Sequence, residues 1–289
     1  MKFGLMAPYQ LAPVEDGHFA ADLGRCAEDM GFESIWAVDH VVMCPNYESK
    51  YPYDPSGRSP FDENVIQPDP LIWLTWVASA TTTLKLGTGI LILPLRNPTV
   101  LAKETASLDR LSGGRLLLGI GVGWVEEESK AVGMEFGNRG RRCDEYVESM
   151  RSLWNEPVST YQGRHVAFDD VVSLPKPAST GGVPILVGGH SPAAARRAGR
   201  LGDGFFPLGV FGAELDDLLA IMADSAREVG RDPSDIEVTV VGAPDRGFVE
   251  NCRDQGISRF LISPASGEIS EIRKSLEGFQ KEVMEPLSD

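Results

Sequence analysis

The chain has 289 residues, 42% hydrophobic and 24% charged, the make-up of an ordinary globular protein and a length that an α/β barrel reaches as one domain. Its 27 Lys and Arg against 42 Asp and Glu leave a formal net charge of −15, which disfavours nucleic acid and anionic membrane as partners. No apolar run is long enough to cross a bilayer, and strand-like residues begin at Phe3 where a secretory signal would carry charge and then an apolar stretch, so a cytoplasmic protein is expected.

Apolar runs that end in glycine or a polar cluster and lead into a helical pattern mark strands followed by helices. In chain order, the pattern predicts a strand over 2–8 and a helix over 19–30. A strand over 34–40 follows, then a long connection at 41–68 rich in Tyr, Pro, Asp and Ser, then a helix over 69–81. Structureless connections of that length are usually lids or binding loops. The run LKLGTGILIL predicts a strand over 84–93 with a helix over 98–111, and RLLLGIGVG a strand over 115–123 with a helix over 141–154. Both runs are continuously apolar, as strands buried on two faces of a parallel sheet are. A second insertion, 155–182, contains YQGRHVAFDDVVSL, two alternating segments that read as a small hairpin. Strands over 184–189, 204–208, 236–242 and 258–264 then precede helices over 192–200, 213–229, 248–255 and 267–282.

Eight strand–helix units imply a parallel sheet, and eight is the number that closes a (β/α)8 (TIM) barrel. One α/β domain over 1–289, with insertions after the second and fourth strands, is the expected organisation. The rival is a doubly wound Rossmann sheet, suggested by Gly119, Gly121 and Gly123 after a strand. The dinucleotide fingerprint GxGxxG, however, places its third glycine where Trp124 stands.

In a barrel, function gathers at the C-terminal ends of the strands. His40 stands there beside Asp39, able to move a proton near neutral pH; the alternative is a histidine that only bonds to a loop carbonyl. Glu126, Glu127 and Glu128 follow the fourth strand. Acidic residues in a first helical turn complement its dipole, while one carboxylate can face the barrel mouth as an acid or base, and Glu126 is nearest the strand. In ILVGGHSP, Gly188 and Gly189 leave backbone N–H groups open, Ser191 suits an N-cap and Pro192 the first helical position. Such a helix start is an anion site, and Arg196 and Arg197 add positive charge; a well-capped helix that binds nothing is the alternative. Gly87 and Gly89 inside the third strand suit a bulge or a close approach of the backbone to a flat ring. The turn at 111–115 reads as a structural helix stop. Cys26, Cys44, Cys143 and Cys252 form no CxxC pair, and the four histidines show no metal spacing, so neither a metal site nor a disulfide framework is expected.

The stretch from Leu84 to Trp124, with SIWAVDH and VGGHSPAAARRAGRLGDG, resembles the luciferase-like flavin and deazaflavin enzymes over residues 1 to about 210. The resemblance implies a (β/α)8 barrel that binds FMN or coenzyme F420 at its C-terminal mouth, and GVGW followed by RCDEYVESMRSLW looks most like the deazaflavin branch. It implies a ring-backing bulge, often with a non-prolyl cis peptide, at Gly89–Ile90. It further implies His40, paired with Asp39, as a proton-transfer group, Glu126 as a proton donor, and Gly188, Gly189 and Ser191 at the cofactor phosphate. Gly121 to Glu126 would form the part of the mouth that brings a carboxylate towards the ring. The expected activity is hydride transfer between F420 and a small organic substrate, by a homodimer or higher homo-oligomer. The alternatives are an FMN-dependent monooxygenase using O2 and a non-catalytic flavin-binding barrel. The deazaflavin-dependent sugar-phosphate dehydrogenases carry a tryptophan four residues after the histidine, where this chain has Cys44, which puts that substrate in doubt. Tyr47, Tyr51, Tyr53 and Phe61 hint at an apolar or aromatic pocket lining, or equally at a dimer contact.

Overall fold

Each apolar run that breaks into glycine or polar residues forms a strand in the computed structural model, which describes residues 1–287. The order is β1 (Lys2–Met6), α1 (Gly17–Asp29), β2 (Ser34–Ala37), α2 (Pro70–Ala80), β3 (Lys85–Thr88), β4 (Leu91–Ile92), α3 (Pro98–Ser112), β5 (Leu116–Gly121), α4 (Glu126–Ala131) and α5 (Arg139–Asn155). There follow β6 (Ser159–Gln162), β7 (Ala167–Val171), β8 (Ile185–Gly188), α6 (Pro192–Leu201), β9 (Gly204–Phe206), α7 (Ala213–Glu228), β10 (Glu237–Val241), α8 (Arg246–Asp254), β11 (Arg259–Ile262) and α9 (Ile269–Phe279). The second insertion is the antiparallel hairpin β6–β7. None of the helices among the described residues is long and apolar enough to cross a membrane.

The large sheet runs β3-β2-β1-β11-β10-β9-β8-β5-β4, and β3 also pairs with β5, so it closes on itself. Every one of its pairings is parallel. With β3 and β4 as two pieces of one strand this is the (β/α)8 barrel; a closed ring excludes the doubly wound sheet, whose edges stay open. The expected continuous strand over 84–93 is interrupted at Gly89–Ile90, whose peptide bond is cis. Up to that point the ladder keeps its register: the Gly89 N–H donates to the Ala37 carbonyl at 2.7 Å, as the Lys85 N–H donates to that of Glu33.

Two apolar layers hold the ring together. The outer one lies between strands and helices. The inner one fills the barrel with Trp36, Leu117, Leu186, Phe206 and Leu261, and Met6, Ile90 and Val241 pack on it. Trp36 is fully buried and meets Phe206 edge-on at 5.6 Å between centroids. Gly87 makes room for it: a Cβ there would stand 2.3 Å from the indole. Below this layer Arg259 plugs the floor, held by Glu33 (2.9 Å to each carboxylate oxygen), Glu237 (3.0 Å) and Thr239 (3.1 Å).

Helix starts follow their caps. Asp16, Asp69, Asn97, Ser191 and Asp245 each accept an N–H of the first turn of α1, α2, α3, α6 and α8. Pro70, Pro98 and Pro192 occupy first-turn positions of α2, α3 and α6, where their missing N–H is not needed.

Candidate active site

The C-terminal ends of the strands converge on a mouth with His40 on one side and the Gly-Gly turn before α6 on the other. His40 leaves β2 with its imidazole beside α4, and its Nδ1 lies 2.9 Å from Glu128 Oε2. The other oxygen of Glu128 accepts the Val41 N–H at 2.6 Å and the Val42 N–H at 3.4 Å. Glu128 is 1% exposed. A carboxylate can only accept, so in the neutral imidazole the proton sits on Nδ1 and the lone pair on Nε2. This fixes the tautomer suited to a base at Nε2.

Asp39 faces the other way, as successive residues of an extended chain do. Its Oδ2 accepts the Ile92 N–H at 2.9 Å and its Oδ1 takes Arg96 at 2.8 Å. Arg96 bridges on to Asp69 at 2.8 Å, the residue that caps α2. Burial pushes the Asp39 carboxyl up, against the opposing pull of Arg96 and the Ile92 amide. Adjacent in sequence, Asp39 and His40 are therefore not a bonded pair. Asp39 ties β2 to β4 and the start of α3, next to the cis peptide.

The three glutamates of α4 divide their work. Glu126, expected to face the mouth, instead pairs with Lys130 at 2.9 Å, both side chains well exposed. Glu127 reaches the long connection, accepting the Glu48 N–H and the Ser49 hydroxyl, each at 2.7 Å. Those bonds, led by the one from the Glu48 amide, hold its carboxyl down at about 2. Glu128 is the inward carboxylate.

The third-strand bulge is built around Ile90. A Cβ on Gly121 would stand 2.4 Å from Ile90 Cδ1, and one on Gly188 would stand 2.6 Å from Ile90 Cγ2. The absent side chains of β5 and β8 thus leave the slot that Ile90 fills, so Gly121 and Gly188 reach the site through Ile90. The nearest neighbours of a Cβ at Gly89 would be Phe206, Trp36 and Met6, at 3.3 to 3.6 Å. The Gly89 backbone lies on the inner apolar layer, as the backing of a flat ring requires.

Before α6, Gly189 has φ +118°, a conformation that excludes a Cβ without strain. Its N–H, expected to stand open, instead donates to the Phe206 carbonyl at 3.2 Å across the β8–β9 pairing, and Ser191 Oγ accepts the Ala194 N–H at 3.2 Å. His190 Nδ1 is buried without a hydrogen-bond partner. A helix start with an unsatisfied buried ring nitrogen beside it fits an anionic group. Arg197, expected to add free positive charge there, is buried against Asp144 and the Gly140 carbonyl, while Arg196 is exposed.

Residues 41–68 cross this mouth without a regular element. Their Tyr47 and Tyr51 rings meet Trp124 edge-on at 5.2 and 5.1 Å. Tyr51 meets Tyr53 at 5.3 Å, and Tyr53 lies 4.6 Å from the His190 ring. Burial pushes the Tyr53 phenol up to about 12.

With this geometry in hand, comparison with known proteins decides the family. The family model for luciferase-like monooxygenases matches residues 1–244. The chain belongs to that family. Among its relatives, an uncharacterized protein of Mycobacterium tuberculosis is 32% identical over 250 residues, covering 86% of each chain. An F420-dependent glucose-6-phosphate dehydrogenase of Kineococcus radiotolerans is 32% identical over 237 residues, 80% of this chain and 64% of that protein. A monooxygenase from Streptomyces bottropensis shares the luciferase-like barrel at TM-score 0.81 and 22% identity, over 99% of both chains. An F420-dependent secondary alcohol dehydrogenase shares it at 0.76 and 21%, over 96% of this chain and 97% of that one.

Proposed function

We propose that this luciferase-like barrel is an oxidoreductase that moves a hydride between coenzyme F420 and a small organic substrate. The observation that carries the reading is the His40–Glu128 pair at 2.9 Å, set at the mouth beside the cis Gly89–Ile90 bulge. Relatives at 32% and 34% identity that are named F420-dependent support the choice of cofactor. When bound, the deazaflavin supplies the hydride acceptor or donor. The residues that would hold it are Gly89 and Ile90 behind the ring, and Gly189, His190 and Ser191 at its phosphate, with Gly121 and Gly188 shaping the bulge.

Within this reading the protein's own task is orientation and proton transfer. His40 Nε2 takes the hydroxyl proton of an alcohol substrate as its carbon gives up hydride, or returns a proton in the reverse direction. Glu128 holds the ring in the tautomer that leaves Nε2 ready and stabilises the imidazolium that forms. Asp39 is a positioning residue, fixing the bulge through Ile92 and Arg96. Glu126, exposed and paired with Lys130, takes part only if α4 shifts.

The test is a titration of the purified chain with F420 and with FMN, followed by turnover of His40→Ala. Binding of F420 with turnover down about 10²–10⁴-fold in the variant is the expected outcome. Tight FMN binding with no affinity for F420 would overturn it in favour of the second reading, an FMN-dependent monooxygenase using O2, whose monooxygenase activity is the one in the family's description. A homodimer is part of the same proposal. It is supported by Ile72, Trp76, Val100 and Leu111, large apolar side chains exposed on α2 and α3.

A further inference from the structure

The rings over the mouth form a continuous arc. It starts at His40, whose imidazole stands edge-on to Trp124 at 6.2 Å, and passes through Trp124, Tyr51 and Tyr53 to His190. Tyr47 buttresses it from the loop side. The arc therefore spans the exits of β2, β5 and β8. It is pinned at its root by Glu127 and Glu128, which accept four backbone or hydroxyl donors of residues 41–49.

The cations nearest His40 are largely committed, and the exposed Arg196 belongs to the α6 start assigned above to the coenzyme. Arg96 is held between Asp39 and Asp69. Arg139 donates to the Gly123 carbonyl and stacks on Phe136 at 3.7 Å. Lys130 pairs with Glu126, and Arg246 with Glu250. Within the loop, Arg58 donates to the Tyr47 carbonyl and lies 4.9 Å over its ring, which leaves the exposed Lys50 as a lone, unforked ammonium. A phosphate monoester needs free, preferably forked, cationic donors. What the mouth offers beside His40 is a set of π-faces and the inward carboxylate of Glu128.

We infer that the substrate is an uncharged compound with a flat apolar or aromatic portion that lies against the open side of the edge-on Trp124–Tyr51 pair, and that it carries no phosphate. The inference rests on the proposed oxidoreductase reading, because the substrate must reach the ring from the side the arc covers. Stacking against two aromatic residues supplies affinity that tolerates many substituents, so Trp124 and Tyr51 are the specificity-determining residues.

Equilibrium dialysis of the full chain tests this without turnover, using 2-naphthol as the neutral aromatic probe and glucose 6-phosphate as the anionic one. The expected result is 2-naphthol bound at least tenfold more tightly than the sugar phosphate. Tyr51→Ala and Trp124→Leu should each raise its Kd at least fivefold. Tyr51→Phe, which keeps the ring, and Val229→Ala, exposed just past the end of α7, should stay within twofold of the parent. Glucose 6-phosphate bound as tightly as 2-naphthol, or 2-naphthol binding indifferent to the Tyr51 and Trp124 variants, overturns the inference. Fluorescence titration of F420 in the same variants keeps the two readings apart. Loss of coenzyme affinity in the parent chain would sink the oxidoreductase proposal, while the dialysis still decides the class of compound the arc accepts.

Discussion

Replacing Glu128 separates two things that one carboxylate does. In Glu128→Ala, His40 loses the acceptor at its Nδ1, and the Val41 and Val42 amides lose theirs. The two valines are about 40% exposed (42% and 41%), so water replaces the carboxylate there at little cost. The imidazole side chain is only 12% exposed, and its N–H is left short of a partner. Counting about 1–2 kcal/mol for that group and under about 1 kcal/mol for the amides gives a loss of about 2 kcal/mol. For a large single domain this lowers Tm by roughly 4–8 °C. Activity should fall further than stability. Without Glu128 the ring is free to turn and to carry its proton on Nε2, and kcat should drop about 10²-fold, the lower end of what a lost acid–base group costs. Glu128→Gln sharpens the test, because its oxygen can still accept the Val41 amide while its NH2 now faces Nδ1. Its Tm should stay close to the parent's and its kcat should still fall. Thermal melts, steady-state kinetics with any alcohol the parent oxidises, and long-range 1H–15N spectra of histidine-labelled protein give the three readouts. If both variants keep the Nδ1–H tautomer and the parent's kcat, the positioning argument is refuted.

Glu28 should show as an acid-sensitive fastener. Its carboxylate accepts the backbone N–H groups of Thr82, Thr83 and Leu84; desolvation opposes its ionisation, but these bonds, with the Thr83 hydroxyl, outweigh it and hold the carboxyl at about 2. Because the folded value lies below the unfolded one, its contribution is complete above about pH 4.5 and is lost as pH falls towards 2; urea unfolding of Glu28→Gln should show a deficit of about 1–3 kcal/mol at pH 7 that narrows across that window. Glu127 has the same sign, so the protection of the Glu48 amide, relative to the intrinsic exchange rate at each pH, should fall as pH drops below about 4.5, and Glu127→Ala should show the lower protection already at neutral pH. Gly119→Ala should be among the most damaging single-methyl changes in the barrel, since its Cβ would lie 1.9 Å from the Thr88 carbonyl oxygen, which is backbone; a Tm unchanged within 2 °C against a cost of about 3 kcal/mol would show that β3 and β5 slide more easily than their packing implies.

All eight barrel strands were readable, because each carries its burial in an unbroken apolar run and its end in a glycine or polar cluster. The Ser191 cap and Pro192 placed the start of α6 to the residue. The bulge at Gly89–Ile90 was readable from glycine inside a strand together with the family resemblance. Residue phase was not. Glu126 and Glu128 differ by about 200° around a helix, and the sequence says nothing of where α4 begins its turn, so proximity to the strand pointed to Glu126 when the inward position belongs to Glu128. Asp39 and His40 were read as a pair from adjacency, although an extended chain sends neighbours to opposite sides. The commitment of Arg197 to Asp144 spans 53 positions and leaves no local trace. The slot formed by Gly121 and Gly188 likewise exists only once three strands are side by side.

The seam between β1 and β11 bears on how the ring is made. Lys2 registers with Arg259 and Leu5 with Ile262, so the first strand has no partner on that flank until the last one arrives. On a growing chain β1 and β10 are both open edges while about nine-tenths of the sequence is already out. Unpaired edges of this kind template pairing between molecules. Arg259, whose guanidinium finds two glutamates only when β11 slots home, is poorly suited to any other neighbour strand. Its charge in an otherwise apolar run lets the final strand favour ring closure over addition to a second chain.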